Sequence, residues 1–186
     1  SRDARYHAVG NNSVAFNIEV SAMTFPNMIS DNMVLQRNKP VKLSGYGVDG
    51  TTVTAQILDK SATATVSGGK WQIVLPALPT TKQTTLTFTS SDGTSKTFNN
   101  VAIGEVLIIS GQSNVTMAVG NNYSFASSNP FDGIRLFKTG SGSASTPQDN
   151  TSSGTWNTST TSTIKNFTGV GYFTGYYYYL SQNGEV

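Results

Sequence analysis

Residues 106–117 read VLIISGQSNVTM, and the interpretation of the whole chain depends on this stretch. Four aliphatic residues, 106–109, run directly into the polar residues 110–114. An unalternating apolar run is typical of a parallel strand that is covered on both faces. Two readings of the polar residues are open. They form an ordinary turn, or they hold a nucleophile at the carboxyl end of a strand, where ligands of open α/β sheets bind.

The chain that precedes this stretch, residues 23–104, has the pattern of an all-β module. Short alternating runs are separated by turn residues at roughly 8–12-residue spacing. One run, residues 41–43, is expected to end at Gly45. We predict an immunoglobulin-like β-sandwich with Trp71 as its core anchor, rather than as a residue that stacks on sugars. Residues 1–22 are an N-terminal segment or the end of an upstream module, with one strand over residues 14–20.

The chain that follows changes character, and residues 105–186 are predicted to begin an α/β domain. A second strand is expected at residues 134–137, and residues 139–163 are expected to form a long polar loop anchored by Trp156. A helix is predicted from apolar residues at helical spacing, with Gly184 at its C-terminal cap. Its apolar positions are Phe167, Val170, Phe173, Tyr177 and Leu180.

Two strands and one helix cannot bury both faces of a parallel sheet. We therefore expect residues 105–186 to be only the N-terminal part of that domain, incomplete in this chain. The aliphatic strand is expected to be covered by polypeptide outside the 186 residues. This partner is the C-terminal remainder of the same precursor or another copy of the chain.

The composition argues against several classes of function. Charged residues make up 12% of the chain and the net charge is +2, without clustered Lys or Arg, so we expect no nucleic-acid partner and no membrane partner. The chain has no cysteine and one histidine, so we expect no metal site and no cofactor. Its richness in Asn, Ser, Thr and Gly fits an extracellular or secreted protein, or one on a virion surface such as a phage tail.

Ser113 is the candidate nucleophile, because a serine at a strand end is accessible to a ligand. Gly111 allows a tight turn, and N–H groups near Asn114 could stabilise an oxyanion. A serine needs a base to take its proton, and residues 114–186 contain no histidine. His7 precedes the β-module and is interpreted as a surface residue. Arg135 is interpreted as an outward-facing strand residue, with contact to a carboxylate sugar as the alternative.

The chain carries a set of short blocks in a defined order: residues 29–37 (ISDNMVLQR), 39–41 (KPV), 69–71 (GKW), 75–76 (LP), 104–106 (GEV), 110–114 (SGQSN), 134–137 (IRLF) and 167–173 (FTGVGYF). Together these blocks resemble the sialate O-acetylesterase family of SGNH-type hydrolases. The resemblance spans residues 25–183. Some phage tail spikes and bacterial surface polysaccharide deacetylases resemble the same family.

The resemblance implies an immunoglobulin-like β-sandwich followed by a three-layer α/β hydrolase domain that removes acetyl groups from sialic acids or other sugars. It implies that Ser113 is the catalytic nucleophile, with Gly111, Gln112 and Asn114 as supporting residues and the Ser113 N–H as an oxyanion donor. The histidine, its acidic partner and the other oxyanion groups come later in family chains and have no counterpart here. The alternative function is a non-catalytic carbohydrate-binding or structural β-module of a tail spike or surface protein.

Overall fold

A computed structural model describes residues 4–9, 13–18, 23–120 and 131–184. The chain begins with an antiparallel hairpin of β1 (Ala4–Val9) and β2 (Ser13–Ile18), in which His7 lies opposite Ala15. The strand predicted over residues 14–20 is therefore present as β2, and Val20 lies outside the described residues.

Residues 23–104 are mostly β, as the alternating runs predict. The strands are β3 (Val34–Gln36), β4 (Val41–Tyr46), β5 (Thr52–Ile57), β6 (Lys60–Thr65), β7 (Lys70–Leu75), β8 (Thr81–Ser90) and β9 (Ser95–Gly104). A five-stranded mixed sheet has the order β3-β9-β8-β5-β6, with β3 parallel to β9 and the other pairs antiparallel. Strands β4 and β7 form a separate antiparallel pair.

Trp71 anchors the core between these two sheets, as predicted, with 2% of its surface exposed. Its ring lies 5.3 Å from the ring of Phe88 on the five-stranded sheet, and its indole N–H donates to the Tyr46 carbonyl at 3.1 Å. Gly45 lies opposite Trp71 in the ladder, and a Cβ there would collide with the indole ring. The prediction that the strand ends at Gly45 is wrong, because this glycine lies inside β4 and makes room for Trp71.

The aliphatic run 106–109 does not form the predicted parallel strand within the described residues. A strand needs a neighbour for its N–H and C=O groups, and none of the described strands pairs with this run. Leu107 is 43% exposed and Ile108 is 90% exposed, so the run is not covered on both faces either. The parallel α/β sheet of the predicted domain is thus not seen in the described part of the chain.

The second predicted strand is present, but its partner was not expected. Strand β10 (Arg135–Phe137) pairs antiparallel with β11 (Trp156–Thr158), which lies inside the segment predicted as a long loop. The same segment runs into a short helix, α2 (Thr161–Lys165), which begins with a capping box between Thr160 and Thr163. Trp156 is buried and anchors this segment, as predicted.

The predicted C-terminal helix is confirmed as α3 (Gly169–Ser181), but its buried face differs from the prediction. Tyr172 and Tyr176 are buried, whereas Val170, Tyr177 and Leu180 are exposed. After the helix, Gly184 has φ +77° and donates its N–H to the Tyr179 carbonyl, as expected of a C-terminal cap. The helix therefore has two apolar faces, and the described residues bury one of them.

The buried residues form two clusters. The first fills the β-module and also includes Trp156, with Phe137 packed against it. The second joins Ile134, Leu136 and Ile164 to the buried tyrosines of α3. In the described part of the chain, none of the helices has the length and apolar character required to traverse a bilayer.

Candidate active site

Ser113 lies at an exposed turn after the aliphatic run. It is the first residue of α1 (Ser113–Thr116), a single helical turn in which the Thr116 hydroxyl donates to the Ser113 carbonyl at 2.7 Å. The residue before it, Gln112, is the N-cap, and its side chain makes no capping hydrogen bond. The first N–H groups of a helix have no intrahelical acceptor. The side chain and the N–H of Ser113 are therefore both placed to meet a ligand from solvent.

Gly111 is required at its position by a close approach. A Cβ built on Gly111 would lie 2.6 Å from Cγ2 of Val115 and 3.6 Å from its Cβ. The backbone of Gly111 does not have a positive φ angle. The sequence predicts a glycine here for a tight turn, and the structure shows a different requirement, the space taken by the Val115 side chain one helical turn ahead.

The remaining predicted site residues are exposed beside Ser113. The side chains of Gln112 and Asn114 make no hydrogen bond within the described residues, and the Ser113 hydroxyl has no base bonded to it there. The only histidine, His7, lies in β1 at the other end of the sequence. No group of three or more His, Asp or Glu side chains in the described part of the chain could hold a metal ion.

The segment that follows α1 holds the turn against α3. The chain after α1 pairs with the chain before α3: Val119 N donates to Phe167 O at 2.9 Å, and Gly169 N donates to Met117 O at 2.8 Å. The Thr168 side chain caps α3 by accepting from Gly171 N. Two of the blocks noted in the sequence, 110–114 and 167–173, are thus brought next to each other.

A cavity of about 130 Å³ lies between the aliphatic run, β10 and α3. Its walls include Val106, Ile109, Ile134 and two glycines of α3, Gly171 and Gly175. Any Cβ on Gly171 would lie 3.6 Å from Ile109 Cγ1, and one on Gly175 would lie 3.8 Å from Ile134 Cγ2. These are ordinary van der Waals separations, so this face of α3 packs against both the aliphatic run and β10, and the tight contacts of a Cβ on Gly171 would be with Thr168 Cγ2 at 2.7 Å and Phe167 Cε1 at 3.0 Å.

Arg135 does not face outward as predicted. Its Nη2 donates to Asn100 Oδ1 at 3.0 Å, which ties β10 to the end of the β-module. Its Nε and Nη1 are shielded from solvent and have no partner within the described residues. Burial lowers the pKa of Arg135, and the nearby Asp132 carboxylate partly opposes this effect. Because solvent cannot reach these two nitrogens, a sugar carboxylate could reach them only after the side chain moves.

Some residues around the site were not identified from the sequence as contacts. Gln36, Arg37 and Glu105 belong to two of the sequence blocks, but nothing in the sequence indicates that their side chains meet. In the structure, Arg37 Nε lies 3.1 Å from Glu105 Oε2, and Gln36 Nε2 lies 3.1 Å from Glu105 Oε1. The parallel pairing of β3 with β9 places them side by side, and sequence patterns do not reveal that pairing.

Comparison with solved structures gives a fold likeness. The chain is similar to a carbohydrate acetylesterase from Xanthomonas citri, with a TM-score of 0.82 and 24% sequence identity. The likeness covers 87% of this chain and 38% of the chain of that enzyme. The two proteins therefore share a fold over a region that is well under half of the enzyme. No family model and no curated protein matches the chain.

Proposed function

We propose that this chain is part of a carbohydrate O-acetylesterase in which Ser113 is the nucleophile. The observation that carries the proposal is the fold likeness to a carbohydrate acetylesterase over 87% of the chain. The exposed position of Ser113 at the start of α1 supports it, because a nucleophile must meet the ester from solvent. The conformation around Ser113 also leaves its N–H free of intrahelical bonds.

In the proposed reaction, Ser113 Oγ attacks the carbonyl carbon of a sugar acetyl ester while a base takes the hydroxyl proton. The Ser113 N–H donates to the carbonyl oxygen as it becomes negatively charged. The C–O bond to the sugar then breaks, and the base returns the proton to the sugar oxygen. Water adds to the acetyl-serine with the help of the same base, which releases acetate and restores the serine.

The base and its acidic partner are proposed to come from polypeptide outside these 186 residues. The single histidine of the chain lies in β1 and is an unsuitable candidate on sequence grounds. Exposed apolar side chains support a covering polypeptide: Leu107 and Ile108 on the aliphatic run and Val170, Tyr177 and Leu180 on α3. The proposed partner is the C-terminal remainder of the same precursor. A second copy of the chain is a poorer candidate, because the histidine it would bring is His7 again.

The finer assignments are part of this proposal. The esterase is proposed to be of SGNH type, with an immunoglobulin-like β-sandwich over residues 23–104 and the start of the hydrolase domain over 105–186. The order of the strands supports the first assignment, since two antiparallel neighbours, β4 and β7, face a larger sheet. Acetylated sialic acid, or an acetylated surface or plant polysaccharide, is the proposed substrate, and the proposed location is extracellular, secreted or on a virion surface.

The experiment compares Ser113→Ala with Ser110→Ala in the complete protein that supplies the base. Both serines are exposed in the same turn, so Ser110→Ala is a matched control. We expect Ser113→Ala to lower kcat for acetyl ester hydrolysis by roughly 10³-fold or more, while Ser110→Ala retains most of the activity. The 186-residue chain alone is expected to show little hydrolysis. Full activity in Ser113→Ala would refute the nucleophile assignment.

The second candidate is a non-catalytic carbohydrate-binding or structural module. The absence of a base bonded to Ser113 within the described residues favours it. The two candidates predict different outcomes with an acetylated polysaccharide: an esterase releases acetate, whereas a binding module retains the polymer and releases none. Calorimetric titration together with an acetate assay on the complete protein distinguishes them.

A further inference from the structure

A connected group of polar contacts outside the candidate active site lies where the β-module ends. Strands β3 and β9 are parallel and end together, with Gln36 opposite Gly104. The ladder continues for one more bond, because Arg37 N donates to Gly104 O at 2.8 Å. The two residues that follow the strands, Arg37 and Glu105, therefore lie side by side. We call Gln36, Arg37 and Glu105 the edge clamp.

Both oxygens of the Glu105 carboxylate are held in the edge clamp. Arg37 Nε donates to Oε2 at 3.1 Å, and Gln36 Nε2 donates to Oε1 at 3.1 Å. The Glu105 carboxylate raises the pKa of Arg37 through this hydrogen bond. The side chains are only partly exposed, 16% for Arg37 and 30% for Glu105, so solvent screens their attraction less than it would on an open surface.

The edge clamp also holds the chain that leads to Ser113. The carbonyl oxygen of the Gln36 side chain accepts a hydrogen bond from the backbone N–H of Val106 at 3.1 Å. Val106 is the first residue of the aliphatic run, which has no strand partner within the described residues. Gln36 therefore supplies the hydrogen bond that a neighbouring strand would otherwise make, and it fixes the direction in which the chain leaves the β-module.

On its other side, the edge clamp reaches α3. Arg37 Nη2 lies 3.3 Å from Gln182 Oε1 and 3.5 Å from the Tyr178 hydroxyl. The opposite end of α3 bonds to the chain after α1, through Gly169 N and Met117 O. The turn that contains Ser113 is thus held from both ends, by Gln36 before it and by α3 after it.

From these contacts we infer that the edge clamp positions the Ser113 turn, so that Gln36, Arg37 and Glu105 act on the reaction through the backbone of residues 106–113. This inference rests on the proposed function of Ser113. The three residues are positioning residues and do not touch the substrate. Loss of the edge clamp leaves the substrate-binding surface in place and misplaces the nucleophile, which reduces the rate more than the binding.

The principal test uses Gln36→Leu, which removes all three hydrogen bonds of the Gln36 side-chain amide: those to Glu105 and to the Arg37 carbonyl, and the one from Val106 N. Glu105→Gln is the second variant, because it keeps the shape of the side chain and removes its charge. In this chain, hydrogen exchange at the Val106 amide should accelerate about tenfold or more in Gln36→Leu. In the complete protein, kcat should fall about 10- to 100-fold in Gln36→Leu, with KM changed less than about twofold, and Glu105→Gln should give a smaller effect of the same kind.

Asp149→Asn is the matched control. Asp149 pairs with Lys70 of β7 in a different exposed ion pair, and its side chain makes no hydrogen bond to Gln36, Arg37 or Glu105. Its loss should leave exchange at Val106 and kcat unchanged. Unchanged exchange in both edge-clamp variants, or faster exchange with unchanged kcat, would overturn the inference. A different result separates this inference from the proposed function. If Ser113→Ala keeps its activity while Val106 exchange is faster in the edge-clamp variants, the proposed function fails and the structural role of the edge clamp stands.

Discussion

Gly111 shows how one missing side chain shapes the candidate site. The Val115 side chain occupies the space that a Cβ at Gly111 would need, with 2.6 Å between the two positions. Non-bonded carbon atoms do not approach a Cβ this closely, and Val115 is β-branched, so its χ1 has little freedom to turn away. A larger residue at 111 must therefore displace α1 and the Ser113 hydroxyl with it.

We predict that Gly111→Ala lowers kcat for acetyl ester hydrolysis about tenfold or more in the complete protein, because a displacement near 1 Å at the nucleophile has a large cost. Val115→Ala alone should have a smaller effect, and the double variant Gly111→Ala/Val115→Ala should recover most of the lost rate. Steady-state kinetics on the four proteins measure this coupling. Additive losses in the double variant would show that the Val115 contact is not the reason for the glycine.

Trp156 shows how an element that lies far along the chain is fastened to the β-module. The indole N–H of Trp156 donates to the Met28 carbonyl at 2.9 Å, and its ring lies 5.3 Å from Phe137. Nearby, Asn27 Nδ2 donates to the Thr151 carbonyl at 2.9 Å. Strand β11 and the segment before it are therefore bound to residues 27–28 through side chains.

We predict that Trp156→Phe lowers the free energy of unfolding by about 1–3 kcal/mol, because the Met28 carbonyl loses its partner and the smaller ring leaves space in the core. Asn157→Ala is the control: this neighbour in β11 is exposed and, among the described residues, its side chain bonds to the carbonyl of Thr155 alone, so its loss should cost about 0.5 kcal/mol or less. Urea denaturation followed by circular dichroism measures both. Equal small effects would contradict the anchoring role of Trp156.

The elements differ in how far the sequence predicts them. Alternation predicts the β-module and helical periodicity predicts α3, because elements such as β4, β7 and α3 bury side chains with a regular period. Strand β11 has only three residues in a Thr- and Ser-rich segment, so it carries no detectable period. For α3, the sequence predicts the helix and not its buried face, because apolar side chains occur on both faces. The glycines that pack on Ile109 and Ile134, Gly171 and Gly175, have no side chain and so give no hydropathy signal.

The candidate site is predicted from the sequence only in part. Composition and periodicity identify Ser113 as a residue at the end of an aliphatic run, and the resemblance assigns its role. The edge clamp could not be predicted, because Gln36 and Glu105 are 69 residues apart and meet through the parallel pairing of β3 and β9. The pattern of residues 106–109 predicts a covered strand, whereas these residues lack a strand partner within the described part of the chain.

At the scale of the whole molecule, the described residues combine a closed β-module with an open apolar surface. The core of the β-module contains residues at 2% exposure or less, such as Val53, Leu86 and Val101. By contrast, Ile108 is 90% exposed and Met117 is 66% exposed near the Ser113 turn. Burial of one aliphatic side chain is worth about 1.5–3 kcal/mol. This contrast supports the proposal that further polypeptide covers the turn and brings the base to Ser113.

The most direct test of Ser113 as the nucleophile is covalent trapping with a fluorophosphonate in the complete protein. This reagent reacts with a serine only when a base activates it, so the adduct reports the nucleophile and its activation together. We predict one adduct per chain, on the peptide that contains Ser113, with acetyl ester hydrolysis lost in proportion to labelling and no adduct in Ser113→Ala. Peptide mapping by mass spectrometry reads out the site. Inactivation with the adduct on another residue, or full hydrolysis by a protein that takes up no label, would contradict the assignment.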